Sequence, residues 1–81
     1  MHYLDKHISL FPNPADNVFT VNSTLDIIRE LTIYDNNGRA VLRQSINDYS
    51  GQVNVEKLTP GIYFVRMMTP DNVVTKKLIV R

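Results

Sequence analysis

The sequence predicts an all-β domain, an antiparallel Ig-like or fibronectin-like β-sandwich of about seven short strands. Apolar and polar residues alternate with a period of two in most segments, not with the period of a helix. Turn residues separate these segments at a spacing of about ten residues. The 81 residues include no cysteine, so the core must form without disulfides or a thiolate-bound metal.

The first two strands are predicted on either side of a proline-rich stretch. Residues 7–11 form the first strand and residues 17–23 the second, because side-chain polarity alternates in both. Between them, Pro12-Asn13-Pro14 contains prolines, which have no backbone N–H, so this stretch is predicted to be an extended edge or a turn. Residues 23–28 are predicted to be a loop that joins strands, with a short helical turn as the alternative.

A hairpin is predicted in the middle of the chain. Residues 29–35 and residues 39–46 alternate in polarity, and Asn36-Asn37-Gly38 between them is rich in residues that accept a positive φ. Residues 52–56 alternate again and are predicted to be the fifth strand.

Two longer strands complete the sequence. Residues 62–69 follow the turn Thr59-Pro60-Gly61, and residues 73–80 follow the turn Pro70-Asp71-Asn72. The alternation along the strands predicts which side chains face the core of the sandwich. They are Phe19, Val21, Leu31, Ile33, Leu42, Val53, Val55, Tyr63 and Val65.

The segment before the sixth strand has the spacing of a tyrosine corner. Tyr63 comes two residues after the turn glycine Gly61 and five residues after Leu58. In Greek-key sandwiches such a tyrosine packs its ring in the core, while its hydroxyl bonds to the backbone a few residues upstream. The spacing predicts a structural role for Tyr63 and favours a sandwich over an open meander.

The sixth strand is apolar on both of its faces. One interpretation is a central strand whose outer face is covered by neighbouring side chains or by the loop of residues 23–28. The other is an exposed apolar patch that docks a partner. The two alternating sets are Ile62, Phe64 and Met68 against Tyr63, Val65 and Met67.

The sequence has few residues that could catalyse a reaction or bind a metal. The only histidines, His2 and His7, lie at the start of the chain, and a metal site needs three or four ligands. No serine has the flanking glycines of a nucleophile elbow, and no placed acid and base accompany one. We therefore expect a protein that is not an enzyme and that binds neither a cofactor nor a metal.

The charge pattern limits the partners. A net charge of +1 and the scattering of nine Lys and Arg argue against nucleic acid. The apolar runs are far too short to span a bilayer, so no membrane insertion is expected. The one adjacent pair, Lys76 and Lys77, lies in the β-prone final strand. These lysines are interpreted either as gatekeepers against edge-to-edge pairing or as contacts for an acceptor protein.

Four segments together resemble a known family. Leu10-Phe11-Pro12-Asn13-Pro14-Ala15 is similar to an (F/Y)-P-N-P start, and residues 33–41 carry a strand, the turn glycine Gly38 and a basic residue. Leu58-x-x-Gly61-Ile62-Tyr63 and a basic, β-prone terminus follow. In their order and spacing these segments resemble the C-terminal sorting domain of the type IX (Por) secretion system of Bacteroidota, type A. The likeness covers about residues 8–81.

The resemblance implies delivery of an attached protein, not catalysis. A precursor would cross the inner membrane by its own signal peptide, and an outer-membrane translocon would recognise the folded domain in the periplasm. A surface peptidase would then usually remove it, which leaves the cargo at the cell surface or secreted. On this interpretation residues 1–7 are a linker or cleavage region from an N-terminal cargo protein, and residues 8–81 are the sorting domain.

An edge strand offers unpaired backbone groups, so the resemblance also suggests how a receptor would read the domain: as a shaped surface or by strand addition. The segment expected to be recognised consists of Lys76, Lys77, Leu78, Ile79, Val80 and Arg81. The residues expected to maintain the scaffold are Pro12, Asn13, Pro14, Gly38, Leu58, Gly61 and Tyr63.

Two other functions are compatible with the same fold. A carbohydrate-binding or adhesive module of a secreted protein would require exposed aromatic platforms; the chain has no Trp, and Tyr34 and Tyr49 are its available tyrosines. These two would have to share one flat face. A fibronectin-like spacer is the other alternative, and a spacer would continue into a further domain.

Overall fold

The computed structural model describes residues 6–81, which form two antiparallel sheets packed face to face. The three-stranded sheet has the order β1-β2-β5, and the four-stranded sheet has the order β4-β3-β6-β7. The predicted all-β sandwich of seven strands is therefore confirmed. The strands are β1 (Ile8–Phe11), β2 (Val18–Ser23), β3 (Ile28–Tyr34), β4 (Ala40–Asp48), β5 (Ser50–Asn54), β6 (Gly61–Met68) and β7 (Val73–Val80).

The core lies between the sheets and contains the side chains that alternation assigned to it. Eight of the nine predicted core residues are buried. Leu42 is the exception: it is half-buried because β4 is an edge strand, which gives its inner residues a neighbouring strand on one side only. The prediction did not include seven further buried hydrophobic residues of the described chain, which are Ile8, Ala15, Ile28, Met67, Val74, Leu78 and Val80.

The connections pass between the sheets at both ends of the sandwich. Residues 24–27 join β2 to β3 as a loop, as predicted, without the alternative helical turn. Tyr49 joins β4 to β5, and its carbonyl accepts a hydrogen bond from the Ser23 N–H at 2.7 Å. Of residues 6–81, none belongs to a helix long and apolar enough to cross a membrane.

The register of the strands defines two ends of the sandwich. Tyr34 pairs with Phe64, and Gly61 pairs with Val80, so the β3–β4 turn, the start of β6 and the end of β7 lie at one end. The loop 24–27 and the β6–β7 turn lie at the other end, where Met68 pairs with Val73.

The tyrosine corner is present. The Tyr63 ring is buried, and its hydroxyl donates a hydrogen bond to the Thr59 carbonyl oxygen at 2.6 Å. Leu58 packs against the core beside this corner. The bond closes the loop that leads from the three-stranded to the four-stranded sheet, so Tyr63 contributes both to the core and to the crossing of the chain.

We predict that Tyr63→Phe lowers the free energy of unfolding by about 0.5–1.5 kcal/mol, because one partly buried hydrogen bond is lost. Tyr63→Ala should cost about 3–5 kcal/mol, because it also leaves a cavity. Urea denaturation measures both changes. Tyr34→Phe is the matched control, because the Tyr34 hydroxyl makes only an exposed 3.4 Å contact with Arg66. Equal stability of Tyr63→Phe and the unsubstituted chain would contradict the corner.

Candidate functional site

The terminal strand β7 lies at the edge of the four-stranded sheet, beside β6. Its side chains alternate between the two faces. Leu78 and Val80 face the core and are buried, whereas Lys77 and Ile79 project from the outer face.

The adjacent lysines therefore lie on opposite faces of the sheet. Lys76 pairs with the buried Val65 on the inner face and is half-buried, whereas Lys77 pairs with Phe64 on the outer face and is exposed. A charged side chain that points inward from an edge strand opposes continuation of the sheet by another chain. This position agrees with a gatekeeper role for Lys76, whereas Lys77 is exposed to solvent on the outer face.

The proline-rich stretch lies along the edge of β7, not only at the end of β1. The Asn13 side-chain amide donates to the Lys77 carbonyl at 2.9 Å, and its oxygen accepts from the Ile79 N–H at 2.9 Å. Asn13 thus presents one donor and one acceptor to β7, as a backbone unit of a neighbouring strand would. Its neighbours in sequence, Pro12 and Pro14, have no N–H with which to form such bonds.

Two residues later the backbone itself pairs with β7. The Ala15 N–H donates to the Ile79 carbonyl at 2.8 Å, and the Ala15 carbonyl accepts from the Arg81 N–H at 2.8 Å. This is a parallel bridge, and Ala15 is fully buried at it. Exposed carboxylate oxygens of Asp16 lie within 3.4 Å of the Arg81 guanidinium. Residues 13–16, which we call the edge clamp, therefore hold the last residues of the chain.

The edge clamp leaves little of the terminal edge open. In an antiparallel pair, every second residue directs its N–H and C=O away from its partner strand. In β7 these are the odd-numbered residues, and the clamp bonds cover the edge from the Lys77 carbonyl to the Arg81 N–H. Strand addition at residues 77–81 would require displacement of the clamp. Next to this covered segment, an open groove of about 410 Å³ lies between β1 and β7, beside Ser9 and Lys77.

The hairpin turn contains the predicted glycine in the predicted conformation. Gly38 has a φ of 86°, and its N–H donates to the Asp35 carbonyl at 3.0 Å. The Asp35 carboxylate accepts hydrogen bonds from the N–H groups of Asn37 and Arg39, each at 2.9 Å. The hydrogen bond from the Arg39 backbone N–H is the main cause that holds the pKa of Asp35 below its usual value. Because a Cβ at Gly38 would meet no atom within 4 Å, its requirement is one of conformation, not of space.

Gly61 has no comparable requirement. Its φ lies outside the left-handed region, and a Cβ there would come no closer than 3.9 Å to another side chain, at the Tyr63 ring. Its expected role in the scaffold therefore stays a prediction without a steric reason in this fold.

The segments that carry the resemblance meet at one end of the sandwich. Ala15 pairs with Val80, and Val80 pairs with Gly61, so the edge clamp, the end of β7 and the start of β6 are neighbours. The turn at Gly38 follows β3, whose last residue pairs with β6, and so lies at this same end. We call this the motif end. Ile8 pairs with Ser23, so β1 begins at the opposite end.

Other candidate sites are less well supported by the geometry. Residues 6–81 contain no group of three His, Cys, Asp or Glu side chains that could hold a metal. The His7 Nδ1 lies 3.0 Å from the Thr24 hydroxyl, and His2 lies outside the described residues.

Tyr34 is at the motif end and Tyr49 is at the opposite end, beside Ser23. The two tyrosines therefore do not form the shared platform that a carbohydrate site would need.

The outer face of β6 resolves the ambiguity about its apolar side chains. The strand is central, as one interpretation required, yet Ile62 is 46% exposed and Phe64 and Met68 are each 37% exposed. Neither the neighbouring strands nor the loop of residues 23–28 covers them. The outer face therefore carries the exposed apolar residues that the second interpretation required.

Comparison with known proteins gives a family and a fold. The family model described as a secretion system C-terminal sorting domain matches residues 9–81. Among curated proteins, no sequence matches this chain. A solved structure with the same fold is that of PorZ, an essential bacterial surface component of the type IX secretion system of Porphyromonas gingivalis. The TM-score is 0.72 at 15% sequence identity, over 96% of this chain and only 12% of the PorZ chain.

We predict that Asn13→Ala lowers the free energy of unfolding by about 1–2 kcal/mol, because two hydrogen bonds to β7 are lost. Chemical denaturation measures the change. Asn17→Ala is the matched control, since Asn17 is an exposed asparagine whose backbone carbonyl, not its side chain, bonds to Val55. If the two variants proved equally stable, the edge clamp would not stabilise the domain.

Proposed function

This chain belongs to the family of secretion system C-terminal sorting domains and is a sorting signal for type IX secretion, and we propose that the secretion machinery reads it as a folded surface at the motif end. The observation that carries the assignment is the match of the family model to residues 9–81. The function is export of an attached protein to the cell surface or out of the cell. The motif order further supports assignment to the type A subtype.

The route of export is part of the proposal. We infer that the domain folds and acts in the periplasm, that an outer-membrane translocon recognises it, and that a surface peptidase then removes it. Residues 1–7 would be the linker or cleavage region, and residues 8–81 the sorting domain. The direction of the chain supports this arrangement, because β1 begins at the end opposite to the motif end. A cargo attached there would not obstruct the motif end. The domain would act by delivery, not catalysis.

The recognised segment is proposed to be residues 76–81, read through its side chains. Leu78 and Val80 are buried, and Lys76 is half-buried on the inner face, so Lys77, Ile79 and Arg81 are the members that we expect a receptor to contact. The edge clamp already bonds the backbone of Ile79 and Arg81, which disfavours recognition by strand addition at these positions. Recognition of a shaped surface is the mode that these contacts support.

We predict that residues 8–81, fused behind a signal peptide and a reporter, carry the reporter to the surface of a bacterium that has this secretion system. Removal of residues 76–81 should leave the reporter in the periplasm. That truncation also deletes the buried Leu78 and Val80, so it tests folding as well as recognition. Surface labelling and fractionation of the cells measure export.

Lys77→Ala separates recognition from folding, because loss of an exposed lysine changes stability by no more than about 0.5 kcal/mol. Lys57→Ala, at an exposed lysine in the β5–β6 loop, is its matched control. A folded Lys77→Ala variant that is exported less than Lys57→Ala would support direct reading of the terminal segment. Normal export of Lys77→Ala would argue against a contact there. If the intact fusion stays in the periplasm while a known sorting domain exports the same reporter, the proposed function is wrong.

A further inference from the structure

The outer face of the four-stranded sheet is apolar at the motif end. The strand register brings its side chains together, since Tyr34 pairs with Phe64, and Ile62 pairs with Ile79 in the next row. Ile62 is 46% exposed and Phe64 is 37% exposed. These four side chains lie on three adjacent strands, and we call them the apolar patch. Burial in the core of this domain does not account for them.

The same face also concentrates positive charge. Arg43 and Arg66 flank Thr32 in the row beside the apolar patch, and Lys77 pairs with Phe64 inside it. Glu30, which lies next to Met68, is the acidic side chain on this face within the described strands. Three cations against one anion give the face a positive balance, although the whole chain carries a net charge of only +1.

The outer face of the three-stranded sheet provides an internal comparison. Its paired positions include Thr20 with Gln52, Asn22 with Ser50, and Val18 with Asn54. Of the residues in these three pairs, none is charged, and five of the six are polar. Phe11, which pairs with Thr20 and is 50% exposed, and Val18 add two exposed apolar side chains to this face. One sandwich thus carries a neutral, mostly polar face and a cationic face with an apolar cluster. The fold needs no cationic, apolar cluster on an outer face, as the outer face of the three-stranded sheet shows. The composition of the outer face of the four-stranded sheet therefore indicates contact with another molecule.

Charge complementarity identifies the kind of partner. A second copy of the chain, paired through the same face, would bring one cationic face, with Arg43, Arg66 and Lys77, against another, and like charges at an interface are repulsive. A partner surface with apolar side chains and carboxylates would complement the face in both respects. Lys77 and Ile79 belong both to this face and to the terminal segment proposed to be recognised, so the two surfaces are continuous.

We propose that a protein of the secretion machinery docks on the apolar patch and its flanking cations through an apolar surface that bears carboxylates. This inference rests on the proposed function and extends the recognised surface from β7 across β6 and β3 to Arg43 on β4. The side chains of four strands, not the terminal residues alone, then form the signal. Correct pairing of these strands is a condition for recognition, so the machinery would select folded domains.

The test uses the reporter fusion with paired substitutions. Ile62→Thr with Phe64→Thr removes the centre of the patch and places at both positions a β-branched side chain that suits a strand. Val18→Thr with Leu25→Thr removes two exposed apolar side chains elsewhere. We expect the first pair to reduce export about tenfold or more, as loss of a central apolar contact does, and the second pair to leave it unchanged. Thermal denaturation of the 81-residue chain establishes that each variant is folded.

A charge reversal gives a second measurement that does not depend on the apolar variant. Arg66→Glu should reduce export, and Lys57→Glu, at an exposed lysine in the β5–β6 loop and outside the strands of this face, should not. The proposal is overturned if the folded Ile62→Thr/Phe64→Thr variant is exported like the unsubstituted fusion, or if Arg66→Glu behaves like Lys57→Glu.

Two further outcomes are distinguishable. Export that fails only in Lys77→Ala would overturn this inference and leave the proposed function intact, whereas an intact fusion that is not exported would overturn both. Sedimentation of the chain over a concentration series tests whether a second copy of the chain occupies this face instead. A dimer that Ile62→Thr/Phe64→Thr abolishes would assign the face to a second copy and contradict the proposal.

Discussion

The hydrogen bonding that closes the free edge of β7 is the constraint on which the rest of the structure depends. A strand at the edge of a sheet leaves every second N–H and C=O unpaired, and β7 occupies such an edge. Here the edge clamp supplies the missing partners: the side chain of Asn13 bonds to Lys77 and Ile79, and the backbone of Ala15 bonds to Ile79 and Arg81. The chain thus ties its end to a segment close to its start.

This closure also joins the two sheets. β1 pairs with β2 in the three-stranded sheet, and only a few residues later Ala15 pairs with β7 of the four-stranded sheet. The connection therefore fixes one side of the sandwich, as the Tyr63 corner fixes the crossing between β5 and β6. A chain this short buries a modest share of its surface and has no disulfide, so such cross-connections matter more than in a larger domain. They also place the motif segments together at one end.

Local patterns in the sequence predicted the strands, the glycine turn and the tyrosine corner, because each depends on neighbouring residues. Alternation identified Phe19 and Val21 as core, and the spacing of Tyr63 from Gly61 indicated a hydroxyl bond to the nearby backbone. The edge clamp was not predicted, since its bonds join positions 64 and 66 residues apart. The signal that was available is the polar amide of Asn13 between two prolines: its neighbours cannot donate, so its side chain can serve in their place.

The terminal lysines show a second feature that the sequence analysis did not identify. Lys76 and Lys77 are interpreted there as a pair with one role, although strand alternation alone would place them on opposite faces. The same alternation separates the buried Leu78 from the outward Ile79. What the sequence could not provide is which strands flank β6, and therefore that Tyr34, Phe64 and Ile79 share one exposed surface. That surface follows from the sheet order, which depends on contacts between residues distant in sequence.

Amide hydrogen exchange of the folded chain tests the closure of β7 most directly. The amides of Ile79 and Arg81 point to the free edge but donate to Asn13 and Ala15, so they should be protected. The amide of Thr75 faces the same edge, where no described residue supplies a partner, and should exchange rapidly. If the Ile79 and Arg81 amides exchange as fast as that of Thr75 while the Leu78 amide stays protected, the edge clamp is not formed and this account of the terminal strand is wrong.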